Sequence, residues 1–258
     1  MTILAIVQAR MTSTRFPGKV LSPLLGEPMI LRQLERVCRA RHLESLIIAT
    51  STDPSDDPLV EVLETAGYSV FRGPLDDVLA RFIGAIDDFQ SRTGCMVDVV
   101  VRLTADCPLA SPEVIDEVID VFQSSAADYV SNTMTPTFPD GLDVEVIKVE
   151  VLREVASVAI DPPEREHVTL GVYRRNRTYA IGNYSDSRNN SDLRWTVDTP
   201  EDLAFVSQVY EALYPNDCEF EYQDVLDYLQ NYPERSRTIR DAARNAALKE
   251  IDTGAMNA

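Results

Sequence analysis

Three cations, Arg10, Arg15 and Lys19, lie close together in the run QARMTSTRFPGK that spans residues 8–19. A guanidinium is a fork that matches two phosphate oxygens, and an ammonium is a compact point charge. Thr12, Ser13 and Thr14 add hydroxyl donors between them, and Pro17-Gly18 makes a sharp turn that can aim Lys19 back at a bound anion. Such a loop is suited to gripping a polyphosphate. It is not a Walker loop, because Ser13 stands where that motif needs its first glycine and Val20 where it needs Ser or Thr. The dinucleotide fingerprint G-x-G-x-x-G is absent too. On residue types alone, a merely solvated basic loop remains the alternative.

Two acids could complement these cations. Asp106 follows an apolar run in RLTADCPL, and Asp198 follows another in WTVDTPEDL. Hard divalent cations favour oxygen ligands, and magnesium takes one or two carboxylates together with substrate phosphates and water. Each acid also has a plainer reading: a turn at Asp106, ahead of Cys107-Pro108, and a helix cap or its neighbour at Asp198, where the cap is the commoner case. In PDGLDVEV, Asp143 and Glu145 share one face of a strand, which usually means solvent. His167, in REHVTLGVYRR, is one of two histidines, and a structural imidazole is as good a reading as a functional one. The chain offers no Ser-His-Asp or Cys-His arrangement for covalent catalysis.

The elements that must hold these residues follow from periodicity. Short apolar runs at 4–8, 45–50, 69–71, 97–103 and 128–131 read as strands. Helical stretches at 29–41, 58–66, 76–92 and 112–123 alternate with them, as in a mostly parallel, Rossmann-like α/β sheet. In such a sheet, the loop after the first strand lies at the carboxyl edge, where ligands bind. After residue 131 the rhythm breaks at Pro136, Pro139 and Gly141, and 142–149 alternates like an antiparallel or edge strand. A helix over 149–158, a segment over 164–175, and strands over 178–183 and 193–197 follow. Thr199-Pro200-Glu201-Asp202 then opens a helix, with Thr199 as N-cap. The expected organisation is one domain over 1–245: a nucleotide half at 1–131, a small lobe at about 132–190, a return to the core at about 191–245, and a frayed tail from 246.

The net charge of −18 argues against nucleic acid and anionic membrane surfaces as partners. No apolar stretch is long enough to span a bilayer, and the first residues lack the basic leader and cleavage site of a signal peptide, so the expected location is the cytoplasm. The four cysteines are widely spaced, with no C-x-x-C pair for zinc or redox work. Within this acidic chain the first 41 residues carry an excess of arginine and lysine. A basic helix face accounts for the excess beyond residue 29, which leaves Arg10, Arg15 and Lys19 pointing to a small anionic ligand.

The run VQARMTSTRFPGKVLSPLLGEPMI resembles, almost position by position, the amino terminus of bacterial cytidylyltransferases that activate sugar acids. The octulosonate, acylneuraminate and spore-coat polysaccharide cytidylyltransferases are the nearest comparisons. The resemblance implies a fold of the nucleotide-diphospho-sugar transferase type with a small dimerisation and acceptor lobe. It also implies CTP and a small acidic acceptor as partners, Mg2+ as cofactor, and a homodimer, with the strand over 142–149 as the place to look for the interface. Arg10, Arg15 and Lys19 take the triphosphate by this resemblance, with Gln8, Ala9, Ser13 and Thr104 as further nucleotide contacts. TADCPL and VDTPEDL resemble the family's two metal motifs, which implies Asp106 and Asp198 as magnesium ligands. The octulosonate enzymes have Gln-Gly where Thr104-Ala105 stands here. Arg72, in FRGPLDDVLARF, resembles an arginine that helps hold the nucleotide, whereas an i,i+4 helix salt bridge is the plain reading of Arg81. Asp143, Glu145, His167 and Arg174 are implied as acceptor contacts. The alternatives are a nucleotide-sugar-dependent glycosyltransferase, although no Asp-x-Asp motif follows a mid-chain strand, and a non-catalytic nucleotide-binding module.

Overall fold

The computed structural model describes residues 1–238; the tail expected from residue 246 lies outside the described residues. Strand β1 (Ile3–Gln8) enters the cationic loop, which is followed by a hairpin of β2 (Pro23–Leu24) and β3 (Glu27–Pro28) and by helix α1 (Met29–Val37). Then β4 (Ser45–Ser51), α2 (Asp57–Thr65), β5 (Val70–Gly73), α3 (Val78–Thr93), β6 (Val99–Thr104) and α4 (Pro112–Ser124) continue the alternation. The remaining elements are β7 (Tyr129–Ser131), β8 (Glu145–Lys148), α5 (Val149–Val158), α6 (Pro162–Glu166), α7 (Leu170–Arg174), β9 (Ile181–Asn183), α8 (Pro200–Leu213) and α9 (Tyr222–Asn231).

Seven strands form one sheet in the order β5-β4-β1-β6-β8-β7-β9. β5, β4, β1 and β6 are parallel, as expected of strands joined by crossover helices. β1 is buried along almost its whole length because alternate side chains feed opposite cores: Ile3, Ala5 and Val7 join one apolar cluster, Leu4 and Ile6 the other. Its register sets Gln8 beside Ala49 on β4 and Thr104 on β6. The loops leaving β1 and β6 therefore emerge side by side at the carboxyl edge.

Three expectations are corrected here. The strand over 142–149 begins only at Glu145 and is not an edge: β8 is antiparallel to β6 on one side and to β7 on the other. With both sides occupied, it cannot offer an edge for pairing with a second subunit. Residues 193–197 are extended but join no sheet, making only isolated bridges at Arg194 and Leu193. Their amides are spent on loops instead, since Trp195 and Thr196 both donate to the Asp140 carbonyl and Val197 donates to the Asp106 carbonyl. The first helix stops at Val37 rather than continuing to residue 41.

α9 goes beyond the elements expected from sequence. It carries a capping box between Glu221 and Asp224 and buries Tyr222, Val225, Tyr228 and Leu229.

Candidate active site

The 8–19 loop folds back on itself. The amides of Ser13 and Gly18 both donate to the Met11 carbonyl, and Gly18 adopts a left-handed conformation (φ 73°) that turns the chain into a short 3₁₀ segment beginning at Lys19. That turn buries the Lys19 side chain and delivers its ammonium to the head of the cleft. There Nζ donates to Asp106 Oδ2 (3.1 Å), Asp198 Oδ1 (2.9 Å) and the Val197 carbonyl (2.7 Å).

The two aspartates, distant in sequence, are clipped together through the backbone. The Asp106 carbonyl accepts from the Val197 amide (2.8 Å) and the Thr196 hydroxyl (3.1 Å). Gly141 makes the clip possible: its φ of 114° and its missing side chain let it lie against Trp195 and Thr196, where a Cβ would sit 2.5 Å from the Thr196 nitrogen.

Asp198 is not the helix cap. Thr199 caps α8 and shares a capping box with Asp202. Both Asp198 oxygens therefore take cations instead of capping amides: Oδ1 takes Lys19, and Oδ2 takes Arg15 (2.8 Å) and the buried Arg194 (2.7 Å). Arg194 also pairs with Asp140 and Asp202, which anchors the 193–198 segment from behind.

Burial alone would raise the Asp106 pKa, but the Lys19 ammonium and the Thr104 hydroxyl (2.6 Å) outweigh it and bring the carboxyl down to about 2. Burial likewise opposes the Lys19 charge, and Asp106 and Asp198 overcome it, so the ammonium is held above its ordinary value. Asp106 and Lys19 are therefore both charged at neutral pH.

A cleft of about 540 Å³ opens in front of this cluster. Gln8, Ala9, Arg10, Ser13, Arg15, Lys19, Thr104, Asp106, Asp198 and His167 all line it. His167 is held below its ordinary pKa, first by burial and then by Arg102 and Arg174, so it faces the cleft as neutral imidazole.

Other predicted residues lie elsewhere. Arg72 is turned to the Ser51 and Asp53 carbonyls and to Asp57. Arg174 pairs with Asp161 at 2.7 Å, away from the cleft lining. Asp143 lines a separate small crevice beside Gln33 and Cys107. Glu145 is buried, contrary to the solvent-facing reading, and accepts from Tyr129 (2.6 Å), Thr169 (2.5 Å) and Arg102. Its reach to the cleft is indirect, because Arg102 also donates to Gln8 Oε1 (3.1 Å).

In place of Arg72 the structure brings in Arg81, along with Val78 and Glu166. Arg81 makes no i,i+4 bridge, because Asp77 is taken by Arg165 and by the Ala80 amide. A signal was present in the sequence: Arg81 interrupts the apolar stripe of α3 on its buried face.

A mostly parallel α/β sheet whose carboxyl edge gathers cations and two carboxylates around a cleft is suited to an enzyme that handles phosphates. The cytidylyltransferase family model matches residues 4–230, and the chain belongs to that family. It is therefore a nucleotidyltransferase. It is 30% identical to an uncharacterized protein of Methanocaldococcus jannaschii over 98% of this chain and 100% of that one. It is 32% identical to the spore coat polysaccharide biosynthesis protein SpsF of Bacillus subtilis, over 81% of this chain and 86% of the relative. Among solved structures, a cytidylyltransferase of Leptospira borgpetersenii superposes with a TM-score of 0.84 at 29% identity, covering 91% of this chain and 96% of the other.

Proposed function

We propose that the enzyme transfers CMP from CTP to a small acidic acceptor and releases pyrophosphate. The observation that carries this reading is the convergence of Lys19, Arg15, Asp106 and Asp198 on one cleft head, in front of which Arg10 is left to meet further negative charge. A relative from Geobacter sulfurreducens named 3-deoxy-manno-octulosonate cytidylyltransferase supports CTP and a sugar acid; that relative is 32% identical over 57% of its own length. The SpsF relative supports a role in polysaccharide biosynthesis.

The donor set fits Mg2+. Asp106 Oδ2 and Asp198 Oδ1 are oxygen donors of the kind a hard dication takes, and both now accept from the Lys19 ammonium (3.1 and 2.9 Å), which would have to turn away for an ion to take them. When bound there, the ion would supply charge neutralisation of the triphosphate and polarisation of the α-phosphorus.

Arg15 and Lys19 would shift from carboxylate to phosphate oxygens as the nucleotide enters. An acceptor oxygen then attacks the α-phosphorus in line, the new P–O bond forms as the bond to the bridging oxygen breaks, and pyrophosphate leaves. Positioning and fixed charge do this work without a covalent enzyme intermediate. His167, a neutral imidazole on the cleft wall, would meet the acceptor in this reading.

The test is pyrophosphate release with each of four nucleoside triphosphates against a panel of sugar acids and phosphonates. Release that requires CTP and an acid is the expected outcome. Turnover with another triphosphate, or with neutral sugars alone, would overturn the reading.

A further inference from the structure

Arg81 presents an unmet need. It lies on the same face of α3 as Val78, Phe82 and Ala85, and the residue is only 2% exposed. Nε and Nη1 are closed off from solvent and have no hydrogen-bond partner among the described residues. Buried guanidinium groups are ordinarily paired, because an unpaired buried charge is strongly unfavourable.

Two acids of this region, Asp56 and Asp77, are already engaged, and Glu166 on the cleft lining is exposed. Asp56 spends one oxygen on the Met11 amide and the other on Thr50 and Ser51. Asp77 is held by Arg165 and the Ala80 amide.

The placement is built rather than incidental. Gly73 leaves room for the arginine stem, since a Cβ there would come within 3.0 Å of Arg81 Cγ. Across the cleft lining stands Arg10, a second cation with no ion pair or hydrogen bond from its side chain among the described residues. Burial, and then the charge of Arg10, push the Arg81 pKa down.

We propose that Arg81 binds the phosphate chain of the nucleotide together with Arg10, the phosphate oxygens supplying the acceptors that the protein withholds. This rests on the reading of the cleft as a triphosphate site. A side chain with this role weakens the ligand-free fold and repays it only in the complex, whereas a structural arginine stabilises both states.

The experiment is calorimetric titration of the full chain with magnesium pyrophosphate and with magnesium CTP, alongside thermal unfolding of the ligand-free protein, for Arg81→Met and Arg81→Lys. Loss of a charge-assisted contact predicts affinities for both ligands weaker by about tenfold or more in Arg81→Met. Its ligand-free Tm should be equal to or above that of the unsubstituted protein, and Arg81→Lys should keep part of the affinity.

Unchanged pyrophosphate affinity in Arg81→Met overturns the proposal, and so does weakened CTP binding with pyrophosphate binding retained, which would place Arg81 at the base or sugar. If neither variant folds, or both lose Tm with pyrophosphate affinity intact, Arg81 is structural and the proposal falls. If the unsubstituted protein binds neither ligand, the triphosphate reading itself fails. Binding that survives in both variants removes only the role of Arg81.

Discussion

The two ends of the cleft treat charge in opposite ways. At the head, each cation has found its anion: Lys19 bridges Asp106 and Asp198, Arg15 takes Asp198, and Arg194 closes the set from behind. Along the flanks, Arg10 of the loop after β1 and Arg81 of α3 line the cleft with no side-chain partner among the described residues. The head is electrostatically complete and contributes to folding, while the wall withholds its partners. The difference teaches that cations in one cleft need not share one role, and that substitutions should separate fold stability from ligand affinity according to the end they touch.

The sharpest break is expected at the head. Asp106→Asn should lower turnover by about a hundredfold or more in a pyrophosphate-release assay, since it removes a fixed charge where, in the proposed mechanism, the metal-triphosphate charge would be handled. Near-normal release would end the metal assignment. The same variant carries a pH signature. The Asp106 pKa is depressed to about 2 in the folded chain, so its stabilisation is complete above the ordinary carboxylate range and is lost as pH falls from about 4 towards 2. That stabilisation is on the order of 2 kcal/mol, and acid titration of the unfolding midpoint should show it in the parent chain and not in Asp106→Asn.

Gly141→Ala should cost about 3 kcal/mol by denaturant unfolding, because a Cβ there meets the Thr196 backbone at a φ that side chains rarely adopt. It should also reduce activity, since the clip that carries Asp198 would shift.

At the wall, Arg10→Ala should leave stability within about 0.5 kcal/mol and weaken CTP by about tenfold, read by titration. A large loss of stability instead would show that the wall, like the head, holds the fold together. The smallest effect belongs to the cap behind Asp198: Thr199→Ala should cost about 1 kcal/mol, measured by chemical unfolding.

The sequence alone was enough to read the parallel half of the sheet, the carboxyl-edge loop and the cap at Thr199, because each is written locally, in apolar period, turn chemistry and capping residues. Arg10, Arg15 and Lys19 were legible for the same reason: they lie in one loop at one sheet edge.

The meeting of Asp106 with Asp198 was not local. It depends on a backbone clip between residues far apart in the chain and on a glycine whose need for space is visible only once Trp195 and Thr196 lie against it.

Tertiary structure also decided the fate of charges that looked alike in sequence. Arg72 and Arg81 sit in the same short motif, yet one is consumed by carbonyls and Asp57 while the other is buried on the cleft wall with Nε and Nη1 unpartnered among the described residues. Glu145 reads as a solvent-facing acid by alternation, but β8 runs between two strands, which leaves the carboxylate to Tyr129, Thr169 and Arg102. Local pattern specifies which residues carry charge and where the chain turns; which charges are paired is set by the neighbours that folding brings from elsewhere, because electrostatic partners are chosen by distance in space.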